Sequence, residues 1–256
     1  MGNSYIKTYI FMALITLTSS LILSYSYSSL KLMSEENIRF DVQRNIIKST
    51  GIDISLMSKN EISSNYKNYI NEIILDQELN VVNNIKWENL IGYEDKKNGT
   101  TYYIDKTDKI KFSAIENKES DNSIAKYLPV FYHSNKEVYV IPISGKGLWS
   151  TLFGFVALDR DKNTVKGITF YKHKETPGLG GEVDKEWFQN NFVGKRIFNA
   201  TDELVSVKVM KGSASVLPVD MQKHAVDGIT GATITSNGLT HFLLADLTRY
   251  EGFLRK

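Results

Sequence analysis

Hydrophobic positions are spread unevenly along this chain, and the unevenness predicts its elements. From Thr8 to Leu30 no residue is charged, while Ile, Leu, Phe and Tyr are dense. As a helix rising about 1.5 Å per residue, that run spans a hydrocarbon core of roughly 30 Å. Its serines and threonines can turn their hydroxyls onto helix carbonyls, so they do not bar insertion. Tyr5, Tyr9, Tyr25 and Tyr27 lie near its ends, where interfacial aromatics sit. A cleaved signal peptide is the competing reading, with Lys7 as its basic flank and Ser24-Tyr25-Ser26 as its small-x-small site, but the apolar run exceeds a usual signal core. The pattern predicts a retained anchor over residues 1–33. Lys31, Arg39, Arg44 and Lys48 follow it and outnumber Lys7, which argues for a cytoplasmic C-terminal side. That rule weakens when a long domain follows, so charge alone leaves the side open.

Beyond the anchor, Ser34–Ser49 reads as a juxtamembrane helix with Ile38, Val42, Ile46 and Ile47 as its apolar positions and Gly51 as its end. Glu61–Asp76 reads as a second helix, because Ile62, Tyr66, Tyr69, Ile70, Ile73 and Ile74 recur at spacings of three and four. Asp95–Lys111 is polar and lysine-rich with alternating Tyr and Ile, which suggests a hairpin or an exposed insertion. From Lys126 the pattern turns to strands: Val138–Ile143, Thr151–Leu158 and Val165–Tyr171, the last two joined by a turn over Asp159–Asn163. A helix over Asp184–Phe192 would turn Trp187 and Phe188 inward. Leu204–Met210 alternates as a strand, with Val205, Val207 and Val209 on one face. Ser236–Tyr250 closes the chain as a helix burying Leu239, Phe242, Leu243 and Leu247. The sum is an α+β fold with a mainly antiparallel sheet. The expected domains are the anchor at 1–33, a helical juxtamembrane and α+β accessory region at 34–142, and a functional domain at 143–256.

Composition narrows the function. With 256 residues and 42% hydrophobic content, the chain can build a sizeable core. Thirty-one basic against twenty-nine acidic residues leave a net charge of +2, which sets aside electrostatic nucleic-acid binding. The lack of cysteine removes disulfides, cysteine-ligated zinc or iron–sulfur clusters, and a cysteine nucleophile. Any redox chemistry here needs another cofactor. His133, His173, His224 and His241 show no ligand spacing, so each is expected at the surface or satisfied, and no metal site is expected.

Two segments carry candidate chemistry. Asp227-Gly228-Ile229-Thr230-Gly231-Ala232-Thr233-Ile234-Thr235 places several hydroxyls on a turn that leads into the closing helix. Free backbone N–H groups and the positive end of the helix dipole favour an anion at such a place. The same residues also suit an ordinary helix start, capped by Asp227, Thr230, Thr235 or Ser236. The second segment is His173-Lys174-Glu175-Thr176-Pro177-Gly178-Leu179-Gly180-Gly181-Glu182. Pro177 fixes φ, the glycines remove bulk, and Leu179 is left as an apolar contact, as in a loop packed against something flat. A tight loop with no ligand would look alike.

Together the two segments resemble the covalent FMN-binding domain of flavin subunits in bacterial respiratory ion pumps: the C subunit of the sodium-translocating NADH:quinone reductase and its relative, the G subunit of the Rnf complex. Gly145-Lys146-Gly147-Leu148-Trp149-Ser150, Phe153-Gly154-Phe155 and Lys166-Gly167-Ile168-Thr169-Phe170 lie closer to the quinone-reductase protein. The resemblance runs from about Ile143 to Thr248, covers the anchor more loosely and leaves residues 52–142 unmatched. It implies a single N-terminal transmembrane helix followed by an α+β FMN-binding domain.

It further implies one FMN per chain, joined through its phosphate to the hydroxyl of Thr233, the second threonine of Thr230-Gly231-Ala232-Thr233. Thr230 and Thr235 are competitors by position, and only the family pattern chooses among them. Asp227 falls at the acidic position recognised by a separate flavin transferase that splits FAD and needs magnesium. The flavin slot is expected among Leu148, Trp149, Glu175, Thr176, Gly178, Leu179 and Gly180, with Thr230, Gly231, Ala232, Ile234 and Thr235 around the attachment turn. Glu175 would orient its loop, and core packing is the other reading of Trp149. The resemblance makes the chain an electron-relay subunit of a translocase. It has no GxGxxG fingerprint, so NADH would be oxidised elsewhere in the complex, and one anchor cannot form an ion pathway. Implied partners are other membrane, flavin and iron–sulfur subunits, membrane lipid, and the transferase during maturation. That transferase acts outside the cytoplasm, which places the FMN domain on the periplasmic side of a bacterial inner membrane. An Rnf-type subunit, or a non-redox membrane-anchored binding module, are the alternatives.

Overall fold

The anchor and the juxtamembrane segment form one helix, α1 (Gly2–Ser49), in a computed structural model that describes the backbone of residues 2–256 and side chains from Tyr5 onward. Met1, the first residue of the expected anchor, lies outside the described residues. The portion Tyr5–Ser49 includes a window of mean hydropathy 1.7 and is long and apolar enough to cross a membrane. Thr16 and Thr18 donate their hydroxyls to the Met12 and Leu14 carbonyls at 2.8 and 2.9 Å, so these polar groups are satisfied inside the helix. The chain divides into two units, residues up to 42 and residues 43–256.

In the second unit, the last turns of α1 bury Ile46 and Ile47 completely. Gly51, at φ +82°, ends them as expected. Helix α2 (Lys59–Tyr69) begins with a capping box between Ser58 and Glu61. It does not run to Asp76: Ile70–Leu75 is strand β1. The β-branched Ile70, Ile73 and Ile74 suit extended backbone, and a full antiparallel register from Ile70 opposite His133 to Leu75 opposite Leu128 is on offer. Spacings of three and four point to helix; pairing with a distant strand decides otherwise.

A hairpin does form, from strands β2 (Leu90–Glu94) and β3 (Thr101–Asp105), but it starts ahead of the expected Asp95–Lys111 range, whose end lies in the short helix α3 (Lys109–Ser113). Tyr102, Ile104, Phe112 and Ile124 give this region a small core of its own. Then come β4 (Leu128–His133), β5 (Val138–Lys146), β6 (Thr151–Leu158) and β7 (Val165–Lys172). With β1 they make a five-stranded sheet in the order β1-β4-β5-β6-β7, antiparallel throughout. His133 departs from expectation. It is buried, stacks on Tyr69 at 5.6 Å and, among the described residues, leaves Nε2 without a partner. Burial lowers its pKa.

Helix α4 (Glu186–Asn190) turns Phe188 inward but leaves Trp187 half exposed, where its indole N–H donates to Glu182 at 2.9 Å. Neighbouring residues on a helix point about 100° apart, so both rings could not face one core. The strand expected over Leu204–Met210 shrinks to β8 (Lys208–Val209). Ser206 sits at φ +61°, and the N–H groups of Val205 and Ser206 both donate to the Ile197 carbonyl, so a bulge breaks the alternation. Val207 and Val209 are buried while Val205 is not. A short helix α5 (Val219–Gln222) leads to β9 (Ala225–Val226), which pairs with β8 in parallel. Helix α6 (Thr233–Arg249) starts three residues before the expected Ser236 and packs on β5; α7 (Glu251–Leu254) ends the fold.

A buried polar cluster joins hairpin, sheet and α6. Asp246 accepts from the Ser144 N–H at 2.6 Å and pairs with Arg249 at 3.2 Å. Arg249 in turn donates to the Thr101 carbonyl at 3.1 Å, and the Ser144 hydroxyl donates to that of Thr101 at 2.7 Å. Burial pushes the Asp246 carboxyl up to about 6, although Arg249 beside it pulls the other way.

Candidate functional site

Three segments far apart in sequence meet at one end of the sheet: the β5–β6 turn over 147–150, the 173–182 loop after β7, and the 227–235 turn between β9 and α6. Glu175 binds them together. Its Oε1 accepts from the N–H groups of Trp149 at 2.9 Å and Ser150 at 3.0 Å, and its Oε2 from the Leu148 N–H at 3.1 Å and the Thr235 hydroxyl at 2.7 Å. The residue is only 5% exposed. Burial alone would raise its pKa, but the Thr235 hydroxyl and the three N–H groups outweigh that and hold the carboxyl below the usual glutamate range.

The loop around Glu175 is folded by its own backbone. The N–H groups of Leu179 and Gly181 both donate to the Thr176 carbonyl, at 3.1 and 2.9 Å. Gly180 lies so close to α6 that a Cβ there would come within 2.6 Å of Thr235 Oγ1 and 2.7 Å of Glu175 Oε2, so only glycine fits. Gly178, at φ +76°, closes the turn after Pro177.

These constraints leave apolar side chains facing outward. Leu148 is 46% exposed, Trp149 70%, Leu179 42% and Ile234 59%. Trp149 therefore does not belong to the core. Leu179 leans on Gly231, where a Cβ would lie 2.8 Å from its Cδ2. A flat, apolar ligand would find here a surface already built and costing little to expose.

The threonines of the 227–235 turn divide sharply. Thr230 and Thr233 are exposed, whereas Thr235 is buried with its proton committed to Glu175. Thr233 is the first residue of α6, whose N-cap is the buried Ala232, and among the described residues no side-chain hydrogen bond caps the helix. None of the four capping residues weighed from sequence fills that role. Asp227 instead accepts from the Ala214 N–H at 2.6 Å and the Ser213 hydroxyl at 3.1 Å, bracing the neighbouring loop. The N-terminal N–H groups of α6 are thus left without a side-chain acceptor, and the helix dipole favours an anion there.

Beside Thr233 runs a groove of about 240 Å³, whose walls include Met210, Lys211, Thr230, Ser236 and Asn237. Sequence reasoning missed Lys211, which carries no motif signal, and weighed Ser236 only as a cap. An exposed apolar surface, an uncapped helix start and an accessible hydroxyl between them fit a ligand with a flat ring system and a phosphate tail, as FMN has.

Comparison with known proteins agrees. Residues 147–245, which contain all three segments, match the FMN-binding domain family. The C subunit of the Na(+)-translocating NADH-quinone reductase of Pseudomonas aeruginosa is 33% identical, over 93% of this chain and 89% of its own. Its counterpart of the same name in Vibrio anguillarum is 32% identical over 96% of this chain and 93% of its own. The crystal structure of the C subunit from Parabacteroides distasonis superposes with a TM-score of 0.64 at 28% identity, covering 89% of this chain and 98% of that one. The chain belongs to the family formed by the C subunits of the Na(+)-translocating NADH-quinone reductases.

Proposed function

We propose that this chain carries FMN as a phosphoester on Thr233 and relays electrons between partner subunits of a sodium-translocating NADH:quinone reductase. The observation that carries the reading is the contrast between Thr233, exposed at an uncapped helix start beside an apolar surface, and Thr235, whose hydroxyl is taken by Glu175. Attachment forms one bond from Thr233 Oγ1 to the flavin-side phosphorus of FAD and breaks the phosphoanhydride. Adenylate leaves, and the threonine proton passes to a base of the transferase.

FMN supplies a ring that takes up and releases electrons one or two at a time. The chain supplies position. Leu148, Trp149, Leu179 and Ile234 offer apolar faces, and Glu175 holds the Leu148–Ser150 backbone and the start of α6 in one frame. Thr176, Gly178 and Gly180 shape the loop beside it, and the Thr230–Ala232 turn presents the attachment residue. Helix α1 anchors the domain among membrane lipid, with the FMN domain on the periplasmic side of the inner membrane, where the transferase that recognises Asp227 acts. The other membrane, flavin and iron–sulfur subunits of the complex are its partners. Relatives matched over most of the chain carry the quinone-reductase name, which favours this assembly over the Rnf type.

The test is co-expression of the full chain with a flavin transferase, followed by a denaturing gel read for flavin fluorescence. The parent and the Thr230→Ala and Thr235→Ala variants stay fluorescent, and Thr233→Ala goes dark. A dark parent, or a fluorescent Thr233→Ala, overturns the assignment.

A further inference from the structure

Ser236 is one helical turn beyond Thr233 and only 3% exposed, yet among the described residues its hydroxyl has no hydrogen-bond partner. Leaving a buried hydroxyl unsatisfied is costly, and native folds seldom do so without a ligand or water to complete it. Ser236 is one of the residues lining the groove that Thr233 also lines.

Lys211 lines the same groove, and among the described residues its ammonium enters no hydrogen bond or ion pair. Its backbone is held firmly. The Met210 N–H donates to the Val226 carbonyl at 2.9 Å, and the Gly228 N–H donates to the Gly212 carbonyl at 2.8 Å, bracketing Lys211 against the strand that enters the attachment turn. The two segments approach so closely that a Cβ on Gly228 would fall 1.9 Å from the Met210 carbonyl oxygen. Asp227 pins the far side through Ala214 and Ser213. A lysine on a braced backbone, its ammonium without a partner among the described residues, thus lines the same groove as Ser236 with its orphaned buried hydroxyl, beside an uncapped helix start.

We propose that Lys211 and Ser236 are the seat of the phosphate esterified to Thr233, the ammonium and the hydroxyl donating to its non-bridging oxygens. The proposal rests on the assignment of Thr233 as the attachment residue. A phosphodiester keeps one negative charge, which one ammonium neutralises, and the uncapped N–H groups of α6 suit the same anion. Both side chains are positioning residues: neither takes part in electron transfer. On this view Asp227 acts within the chain as well as toward the transferase, by setting the loop that carries Lys211.

The experiment uses the full chain with its transferase and compares Lys211→Gln, Lys211→Arg and Ser236→Ala with the parent. The rate of flavin labelling falls about tenfold or more in Lys211→Gln, as expected for loss of a hydrogen bond from a charged group, and Lys211→Arg recovers most of it. In loaded protein, the ³¹P resonance of the phosphodiester moves in Lys211→Gln and in Ser236→Ala. Ser236→Ala leaves the thermal midpoint of unlabelled protein unchanged or raised, because it removes an unsatisfied group, and shrinks the gain in midpoint on loading. Slower labelling with an unmoved ³¹P resonance would assign Lys211 to transferase docking and overturn the seat. Variants that label at the parent rate with the parent resonance overturn it too. An unlabelled parent would instead bring down the attachment reading itself, so the two failures are distinct. Addition of inorganic phosphate to unlabelled Thr233→Ala separates the sources: a seat for the esterified group shows no ³¹P line broadening at millimolar phosphate, and saturable broadening lost in Lys211→Gln would reassign it to free phosphate.

Discussion

The hydroxyl of Thr235 donates to the carboxylate of Glu175 at 2.7 Å, across 60 residues of chain. That bond occupies one threonine hydroxyl of the 227–235 turn and leaves the threonine two positions earlier exposed.

Glu175→Ala removes the acceptor of three backbone N–H groups and a buried hydroxyl at once. Stability should fall by roughly 3 kcal/mol, the scale for stripping a buried charged acceptor from its donors, with a smaller loss in Glu175→Gln. Because folding depresses this pKa, its contribution is present at neutral pH and fades as pH drops through the folded value. Urea unfolding from neutral to acidic pH should show that loss in the parent and not in Glu175→Gln.

Asp246 has the opposite sign. Folding raises its pKa to about 6, so the folded chain holds the proton more tightly than the unfolded one. Its part of the stability is greatest below the unfolded value, about 4, and declines as pH rises toward the folded value. Asp246→Asn keeps an acceptor for the Ser144 N–H and should flatten that decline, by on the order of 3 kcal/mol between the two limits. Denaturant midpoints at closely spaced pH values would show the flattening, and an unchanged slope would mean another group is responsible.

Gly180→Ala places a methyl group within 2.6 Å of Thr235 Oγ1. The loop and α6 must separate by several tenths of an ångström, at a cost of about 1–3 kcal/mol. The thermal midpoint should drop and flavin labelling should slow together, since the same displacement disturbs both.

Trp149→Ala tests whether an exposed ring serves the fold or the ligand. At 70% exposure, its loss should change the stability of unlabelled protein by no more than about 0.5 kcal/mol. In labelled protein the flavin absorption band and midpoint potential should shift. A large loss of stability with an unchanged flavin spectrum would return Trp149 to a structural role.

Local pattern was a good guide wherever one period dominated. The strands of 151–158 and 165–172 and the turn between them follow from apolar runs bounded by turn residues, the runs being buried on both faces, and the closing helix follows from three-and-four spacing. It failed where isoleucines suited both periods, at Ile70–Leu75, and where Ser206 inserted a bulge that no residue type announces. For the site, loop and turn were visible as glycine-rich segments, but their joining was not. Glu175 reaches Leu148, Trp149, Ser150 and Thr235 through space, and Lys211 stands out only once Ser236 is seen to lack a partner.

The dependence of the site on Glu175 has a temporal side. Residues 148–150, 175 and 235 meet only when the sheet has closed and α6, which follows every strand of that sheet in the chain, has docked on it. On the proposed attachment at Thr233, flavin colour reports a chain whose helix α6 is already docked, and colour becomes a quality mark for assembly.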